Sequence, residues 1–135
     1  MNLDGAIDGL RTVLSAMSGL SRTYADPPDS ISQFPALIVY AREGEMTVAS
    51  EGFGRSIHTL WADVVIGLQV MPLAIDSAKP YPDRAFALLR ANQTLSGAVE
   101  HIIWPIRHRI IPVQYNNIVH LVCRIEVKVK INETW

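Results

Sequence analysis

The sequence contains a single cysteine, Cys123, and carries almost no net charge. One thiol excludes an internal disulfide framework and is typical of proteins from reducing compartments. Lysine and arginine total 12 against 13 aspartates and glutamates, so the formal net charge is -1. A chain with so little net charge has no overall field to hold a polyanion. The composition therefore argues against nucleic-acid binding by the whole protein.

Long hydrophobic runs and export signals are also missing. The longest uncharged stretch of the central region, residues 64–75, includes Pro72 and is too short to cross a bilayer. The first residues carry Asp4 where a secretory signal would carry a basic residue, and no export segment follows. We therefore expect a soluble protein that is not exported.

Motifs that carry chemistry are missing as well. The four histidines, at positions 58, 101, 108 and 120, lack the spacings of zinc ligands. His120 and Cys123 are three residues apart in the last strand, so their side chains point to opposite faces. No serine lies in a nucleophile elbow, and no glycine pair completes a phosphate-binding loop. Asp63 and Glu126 are expected as isolated outward positions on strands. The sequence thus predicts no catalytic residue, no bound metal and no cofactor.

What the sequence does have is apolar content. Hydrophobic residues make up 49% of its 135 residues and charged residues 19%, against about 25% charged in an average globular protein. This length suffices for one domain with its own core, and we expect a single domain over residues 1–135. The surplus of apolar surface indicates an oligomer.

The clearest pattern lies at residues 57–71, which we expect to form the central strand. Apolar residues occupy the even positions from 60 to 70 and would share one face of an extended strand. Thr59, Asp63 and Gln69 fall on the other face, where Trp61 and Val65 interrupt the polar pattern. Apolar residues on a nominally wet face are expected to be covered, and in a homo-oligomer the cover is another copy.

A second strand before it completes a long hairpin over residues 36–71. Pro35 stands at the start, where a missing N–H is tolerated, and the pattern continues through Ser50. Gly52 and Gly54 allow the chain to turn into the central strand. Two strands of this length extend beyond the body of so small a domain, so we expect a projecting hairpin or loop at residues 43–56.

The remaining elements are two helices and a closing hairpin. Helical spacing of apolar residues predicts a helix at 3–20, capped by Asn2 or Asp4, and another from about 80. The helical spacing continues beyond a break at Asn92, in a second part that Gly97 weakens. The prolines of residues 23–32 indicate a connecting loop. An edge strand is predicted at 104–115, a turn at Asn116-Asn117, and a last strand with strict alternation at 119–131.

These elements predict an α+β fold. We expect about four antiparallel strands in one sheet, two helices packed on its single apolar face, and the order α-β-β-α-β-β.

Two groups of residues are candidates for contacts with partners. The projecting segment is either a mobile surface loop or a docking arm that orders against a neighbouring subunit. The cations of the last strand form either a solvated or guarded sheet face, or a contact for an acidic partner or passing DNA. The first group comprises Glu43, Glu45, Met46, Phe53, Arg55, Trp61 and Val65, and the second comprises Arg124, Lys128 and Lys130.

Nearly the whole chain resembles the tail terminator, or tail completion, proteins of long-tailed bacteriophages. The likeness lies in the order of its features: an N-terminal helix, a strand begun by Phe34-Pro35, and a glycine-bearing loop. A long strand after His58, a proline-preceded helix at 80–92 and the closing hairpin at Tyr115-Asn-Asn complete it.

The resemblance implies a structural virion protein that is not an enzyme. Members of that family form a six-membered ring on the head-proximal end of the tail tube, which ends tube growth and provides the docking surface for the head connector. It implies self-association, contacts with the tail tube and connector proteins, assembly in the host cytoplasm, and DNA that only passes through the opening. The alternatives are a head-closure or neck protein, or a small α+β enzyme or ligand-binding domain with a pocket between helices and sheet.

Overall fold

A computed structural model describes residues 1–24, 28, 31, 33–50, 53–68, 72–115 and 117–134. The helices are α1 (Leu3–Leu14), α2 (Pro72–Ala78) and α3 (Pro80–Ala91), and a 3₁₀ turn follows at Leu95–Gly97. The strands are β1 (Arg22–Tyr24), β2 (Ala36–Ser50), β3 (Phe53–Leu68), β4 (His101–Tyr115) and β5 (Ile118–Thr134). They form one sheet in the order β1-β2-β3-β5-β4. The pair β1–β2 is parallel and the other pairs are antiparallel.

The predicted fold class is wrong. The sheet is mixed and has five strands, and the element order is α-β-β-β-α-α-β-β instead of α-β-β-α-β-β. The additional strand, β1, lies where we predicted a loop, because three residues are too few to show a period of two. Ser21 anchors it: the backbone N–H donates to the Pro35 carbonyl and Oγ donates to the Phe34 carbonyl, each at 2.8 Å.

The helical region after the central strand also differs from the prediction. Pro72 begins α2 itself, as a proline in a first turn can. Helix α3 ends at Ala91, and the apolar residues beyond it do not continue the helix. The backbone turns through positive φ at Leu95, Ser96 and Gly97, and Ile102 already belongs to β4. The apolar residues beyond α3 are Leu95, Val99 and Ile102. They show helical spacing because all three are buried in the same core, although they do not share a helix.

The main core lies between the helices and one face of the sheet, which we call the inner face. Asn2 caps α1, as predicted, because its side chain accepts a hydrogen bond of 2.7 Å from the N–H of Gly5. Helix α1 buries Ala6, Leu10 and Leu14 against the sheet. The even positions of β3 and the odd positions of β5 complete this core, as the period of two predicted: Leu60, Ala62, Val64, Cys123, Ile125, Val127, Val129 and Ile131.

The opposite face, which we call the outer face, carries a second apolar cluster that the prediction of a single apolar face missed. Its fully buried members include Ile38, Val65 and Val122. Tyr24, Ile31 and Phe34, from β1 and the segment that leads into β2, pack over it. The chain thus covers part of its own outer face with a segment that the sequence suggested was only a connection.

The predicted long hairpin is present as β2 and β3, which pair from Ala36–Val65 to Ser50–Phe53. A third strand, β5, lies beside the distal part of this hairpin, because it pairs with β3 as far as Phe53–Thr134. We call this three-stranded distal region, residues 43–50, 53–59 and 128–134, the arm. None of the described helices is long and apolar enough to cross a membrane.

Candidate functional site

The most polar feature inside the protein is the carboxylate of Asp63, which lies on the outer face of β3 with no exposed surface. The Arg124 side chain on β5 donates from Nε to Oδ1 at 2.8 Å and from Nη2 to Oδ2 at 3.0 Å. The Tyr40 hydroxyl donates to Oδ2 at 2.8 Å, and the Tyr115 hydroxyl also donates to Oδ2. One carboxylate therefore joins side chains from four strands.

Arg124 also packs against an aromatic ring. Its guanidinium lies 3.7 Å from the centroid of the Trp61 ring, which is a close cation–π contact. Tyr40 meets Trp61 edge-on at 5.8 Å between centroids, and Arg42 lies 5.2 Å above the same ring. The strand pairing causes this arrangement, because Asp63 stands directly opposite Arg124 and Trp61 directly opposite Tyr40.

These contacts shift the pKa of the groups that carry protons. Burial raises the pKa of Tyr40 to about 12, and the adjacent charge of Asp63 adds to the effect. The pKa of Tyr115 is raised for the same reasons. Burial by itself lowers the pKa of Arg124, but its hydrogen bonds to Asp63 and the charge of that carboxylate outweigh burial and raise it. The tyrosines stay neutral donors and the arginine stays charged.

Asp63 is therefore not the isolated outward carboxylate that the strand pattern predicted. Both of its oxygens accept hydrogen bonds from the protein, and no part of it reaches solvent. A carboxylate bonded and buried in this way is not accessible to a substrate in the folded chain. The cluster acts as a tie between β2, β3, β4 and β5, and it fixes their register on the outer face.

The stability of the protein is expected to fall as the pH rises above about 9. Burial, followed by the charge of Asp63, raises the pKa of the Cys123 thiol from 9.0 to about 12. Above pH 9.0 the unfolded chain releases this proton and the folded chain keeps it. The free energy of unfolding then decreases by up to about 1.4 kcal/mol per pH unit, and the tyrosine hydroxyls add to the loss above pH 10.0.

Urea titrations at several pH values measure this loss. Cys123→Ala is the matched variant: its fall in unfolding free energy between pH 9 and 10 should be smaller than that of the native protein. Parallel curves for the two proteins would show that the thiol is not the group responsible.

The arm presents most of the residues that the sequence singled out. Glu43, Glu45 and Met46 are exposed on β2, and Arg55 is exposed on β3. Met46 exposes 66% of its surface and the neighbouring Val48 71%, both on the inner side of β2. Phe53 begins β3, but its side chain lies outside the described residues. Met46 and Val48 are two residues apart on one strand, so their exposed apolar side chains lie on the same side of the arm.

Trp61 and Val65 have other roles in the folded chain. Val65 has no exposed surface and belongs to the second cluster of the chain's own outer face. Trp61 is half-buried and covers the guanidinium of Arg124. The same chain supplies the cover that we expected from another copy, completely for Val65 and in part for Trp61.

The three predicted cations of β5 also differ from one another. Arg124 is buried and bonded to Asp63. Lys130 is half-buried, with its Nζ 3.5 Å from Oε2 of Glu100. Lys128 alone among the three is exposed, and it lines a shallow depression of about 320 Å³ with Glu43 and Glu45.

A bulge and a glycine shape the arm. The pairing of β2 with β3 shifts between Ala41 and Glu43, which leaves Arg42 free to reach the Trp61 ring. Gly44 does not interrupt the strand: a Cβ there would stand 2.3 Å from Nδ1 of His58 and 2.9 Å from the Ile57 carbonyl oxygen. The glycine lets the buried imidazole lie against the β2 backbone.

Sequence reasoning missed Tyr40, Asp63 and Tyr115 as a group. The sequence shows only that an aspartate and two tyrosines lie in strands of high apolar content. The hydrogen bond from Tyr115 to Asp63 joins residues that are 52 positions apart in the chain. It also missed the arginines Arg107 and Arg109, which are exposed on the edge strand β4.

The alternative of a small ligand-binding domain predicted a pocket between the helices and the sheet. A depression of about 160 Å³ lies between α3 and the sheet, lined in part by Phe86, Ile106 and His108. Typical ligand pockets measure about 300–1,000 Å³. The described residues contain no group of three or more histidine, cysteine, aspartate or glutamate side chains placed to hold a metal ion.

No protein-family model matches the sequence, and no curated protein is significantly similar to it.

Proposed function

We propose that this protein is a structural component of a long-tailed bacteriophage that forms a ring on the head-proximal end of the tail tube. The ring ends tube polymerisation and offers the docking surface for the head. It acts by the fit of its surfaces and catalyses no reaction. Its partners are further copies of itself, the tail tube protein and the head connector, and DNA passes through the opening without sequence-specific contacts.

One observation carries the proposal: the arm exposes apolar side chains along a long strand. Met46 and Val48 would each be covered in an assembly, and Ile57 on the outer side of β3 is 43% exposed as well. A strand of this kind with an open edge is a site for association in the folded protein. The resemblance of the chain to tail terminators gives the assembly in which the association takes place.

The buried cluster around Asp63 supports the same proposal in a different way. It ties four strands together on the outer face, so the sheet is rigid at the base of the arm. A rigid sheet presents its surfaces in one geometry, which reduces the entropy lost when many copies assemble. A ring that must match both a tube and a connector depends on such preorganisation.

Electron microscopy of phage assembled with and without this protein tests the proposal. Without it, we expect tails of abnormal length and heads that carry no tails, because nothing stops tube growth or docks the head. Addition of the purified protein to these lysates should restore complete particles. A variant with Met46→Ser and Val48→Ser should restore fewer particles than the native protein, whereas Ala87→Ser, on the exposed side of α3, should restore as many.

The same images separate this function from the alternatives. Tails of normal length that remain unattached to heads would indicate a head-closure or neck protein. Tubes of normal length already joined to heads in the absence of the protein would contradict both assignments.

A further inference from the structure

In the part of the chain that the structure describes, the two long edges of the sheet lack a neighbouring strand over most of their length. Strand β1 pairs only with Ala36–Ile38, and among the described residues no strand lies beside residues 39–50 of β2. At the other edge, β4 pairs with β5 alone. Unpaired N–H and C=O groups along such edges are a template for another strand.

These two edges carry opposite charges on the same face. Glu43 and Glu45 stand opposite Thr59 and Ile57, which places both carboxylates on the outer face. On β4, Arg107 and Arg109 stand opposite Glu126 and Arg124 and share that face. All four side chains are exposed, and among the described residues none of them forms an ion pair. Each pair has a spacing of two residues, so each forms a short charged row.

The directions of the strands make the two edges compatible. Because β2–β3, β3–β5 and β5–β4 are all antiparallel, β2 and β4 run in opposite directions. Two copies that stand side by side in the same orientation therefore bring β4 of one beside β2 of the next as an antiparallel pair. Their outer faces then lie on the same side of a continuous sheet.

We propose that the subunit contact is this pairing, in which the β2 edge of one copy adds to the β4 edge of the next. Glu43 lies opposite Arg109 and Glu45 opposite Arg107, so the acidic and basic rows meet. The same register brings Met46 opposite Ile106, which packs against the inner core from β4. The outer side of the joint is ionic, and on the inner side Met46 packs against Ile106.

The prolines of β4 define the length of the contact. Pro105 and Pro112 lack an N–H group, so a strand can add to the edge between them, at residues 106–111. In the proposed register residues 106–109 of this segment face residues 43–46, which lie in the open part of β2 beyond the bulge at Arg42. Strand β1 does not obstruct it, because β1 ends its pairing with β2 at Ile38.

Charge also disfavours the symmetric alternatives. A twofold pair of β2 edges would bring glutamates opposite glutamates, and a twofold pair of β4 edges would bring arginines opposite arginines. Like charges in direct opposition destabilise such pairs and select the head-to-tail contact. A head-to-tail contact repeats until it closes into a ring or extends as a filament. Closure into a ring rests on the function proposed above.

Charge reversal tests the contact. Glu43→Lys with Glu45→Lys makes both edges basic, and Arg107→Glu with Arg109→Glu makes both edges acidic. We expect each variant alone to lose the assembled species in light scattering after size-exclusion chromatography. An equimolar mixture should recover it, because acidic and basic edges then alternate around an even-numbered ring. Arg90→Glu, which reverses an exposed charge on helix α3 and not on the sheet, should assemble as the native protein does.

Disulfide trapping detects the contact even if the free protein associates weakly. The native Cys123 is buried and gives little background. Cysteines at positions 43 and 109 would face each other across the joint at about 4.5–5.5 Å between Cα atoms, a distance that a disulfide spans. Oxidation of the double variant Glu43→Cys with Arg109→Cys should produce a ladder of covalent oligomers larger than a dimer. Each single variant should remain monomeric.

Absence of the ladder together with absence of recovery in the mixture would overturn the proposed contact. Covalent dimers from Glu43→Cys alone would instead show a symmetric β2 pair and would also overturn it. These outcomes are separate from the tail assay. If the Glu43→Lys, Glu45→Lys variant still completes tails, the contact is wrong and the function stands; if the ladder forms but tails need no such protein, the function is wrong and the contact stands.

Discussion

Replacement of Asp63 by asparagine is expected to lower the free energy of unfolding by about 3–5 kcal/mol, which is the cost of removing one partner from a buried ion pair. The variant leaves the guanidinium of Arg124 charged, because burial by the Trp61 ring does not make an arginine give up its proton. The two tyrosine hydroxyls lose a charged acceptor at the same time. Urea denaturation followed by circular dichroism measures the change.

Asp76→Asn is the matched control for this variant. Asp76 also forms an ion pair, with Lys79 at 2.9 Å, but the two side chains are 64% and 65% exposed. Exposed pairs contribute about 0–1 kcal/mol, so this substitution should change the free energy of unfolding very little. Equal losses in the two variants would show that the cluster around Asp63 does not tie the strands together.

A second comparison isolates the interaction between Asp63 and Arg124. Asp63→Leu with Arg124→Met removes both charges, so neither is left buried without a partner. The double variant should be more stable than Asp63→Leu alone, because replacing a whole buried pair by apolar residues costs less than breaking it. A double variant less stable than both single variants would contradict this account.

Leu60→Ala is expected to lower the free energy of unfolding by about 2–5 kcal/mol. The Leu60 side chain has no exposed surface and packs in the inner core beneath the helices. Removal of its outer atoms leaves a cavity that surrounding side chains fill only in part. Thermal and urea unfolding of the purified variant would measure the loss.

Ile57→Ala provides the contrast on the same strand. Ile57 lies three residues earlier on the outer face and is 43% exposed. We expect a loss of less than about 1 kcal/mol, because the residue gives up little buried surface and only some preference for the strand. If Ile57→Ala cost as much as Leu60→Ala, the assignment of the two faces would be wrong.

The residues of β3 and β5 that face the core could be predicted, because burial on one face of a strand repeats every second residue. The even positions of β3 and the odd positions of β5 show this period, and the inner core contains them as expected. Local signals were also sufficient for the Asn2 cap and for the turn before β5, where Asn117 has φ 65°. Asn116, the other residue of that turn, lies outside the described residues.

The elements that escaped prediction are those whose signal is not local. Strand β1 has three residues and depends on its pairing with β2, and β5 extends to Thr134 because β3 lies beside it. The apolar spacing after Asn92 suggested a longer helix, although Leu95, Val99 and Ile102 reach the same core from a turn and a strand. Periodicity records which residues are buried and not which backbone conformation buries them.

The sequence by itself determined which face of the central strands forms the core, because burial on one side imposes a period that can be read along the chain. Only the tertiary structure decided what happens on the other face. Trp61 and Val65 interrupt a polar pattern because of a cation–π contact and a second core. Asp63 fits the polar pattern but is buried in an ion pair. Each depends on partners that strand pairing brings across the sheet from distant positions, and no pattern along one strand contains that information.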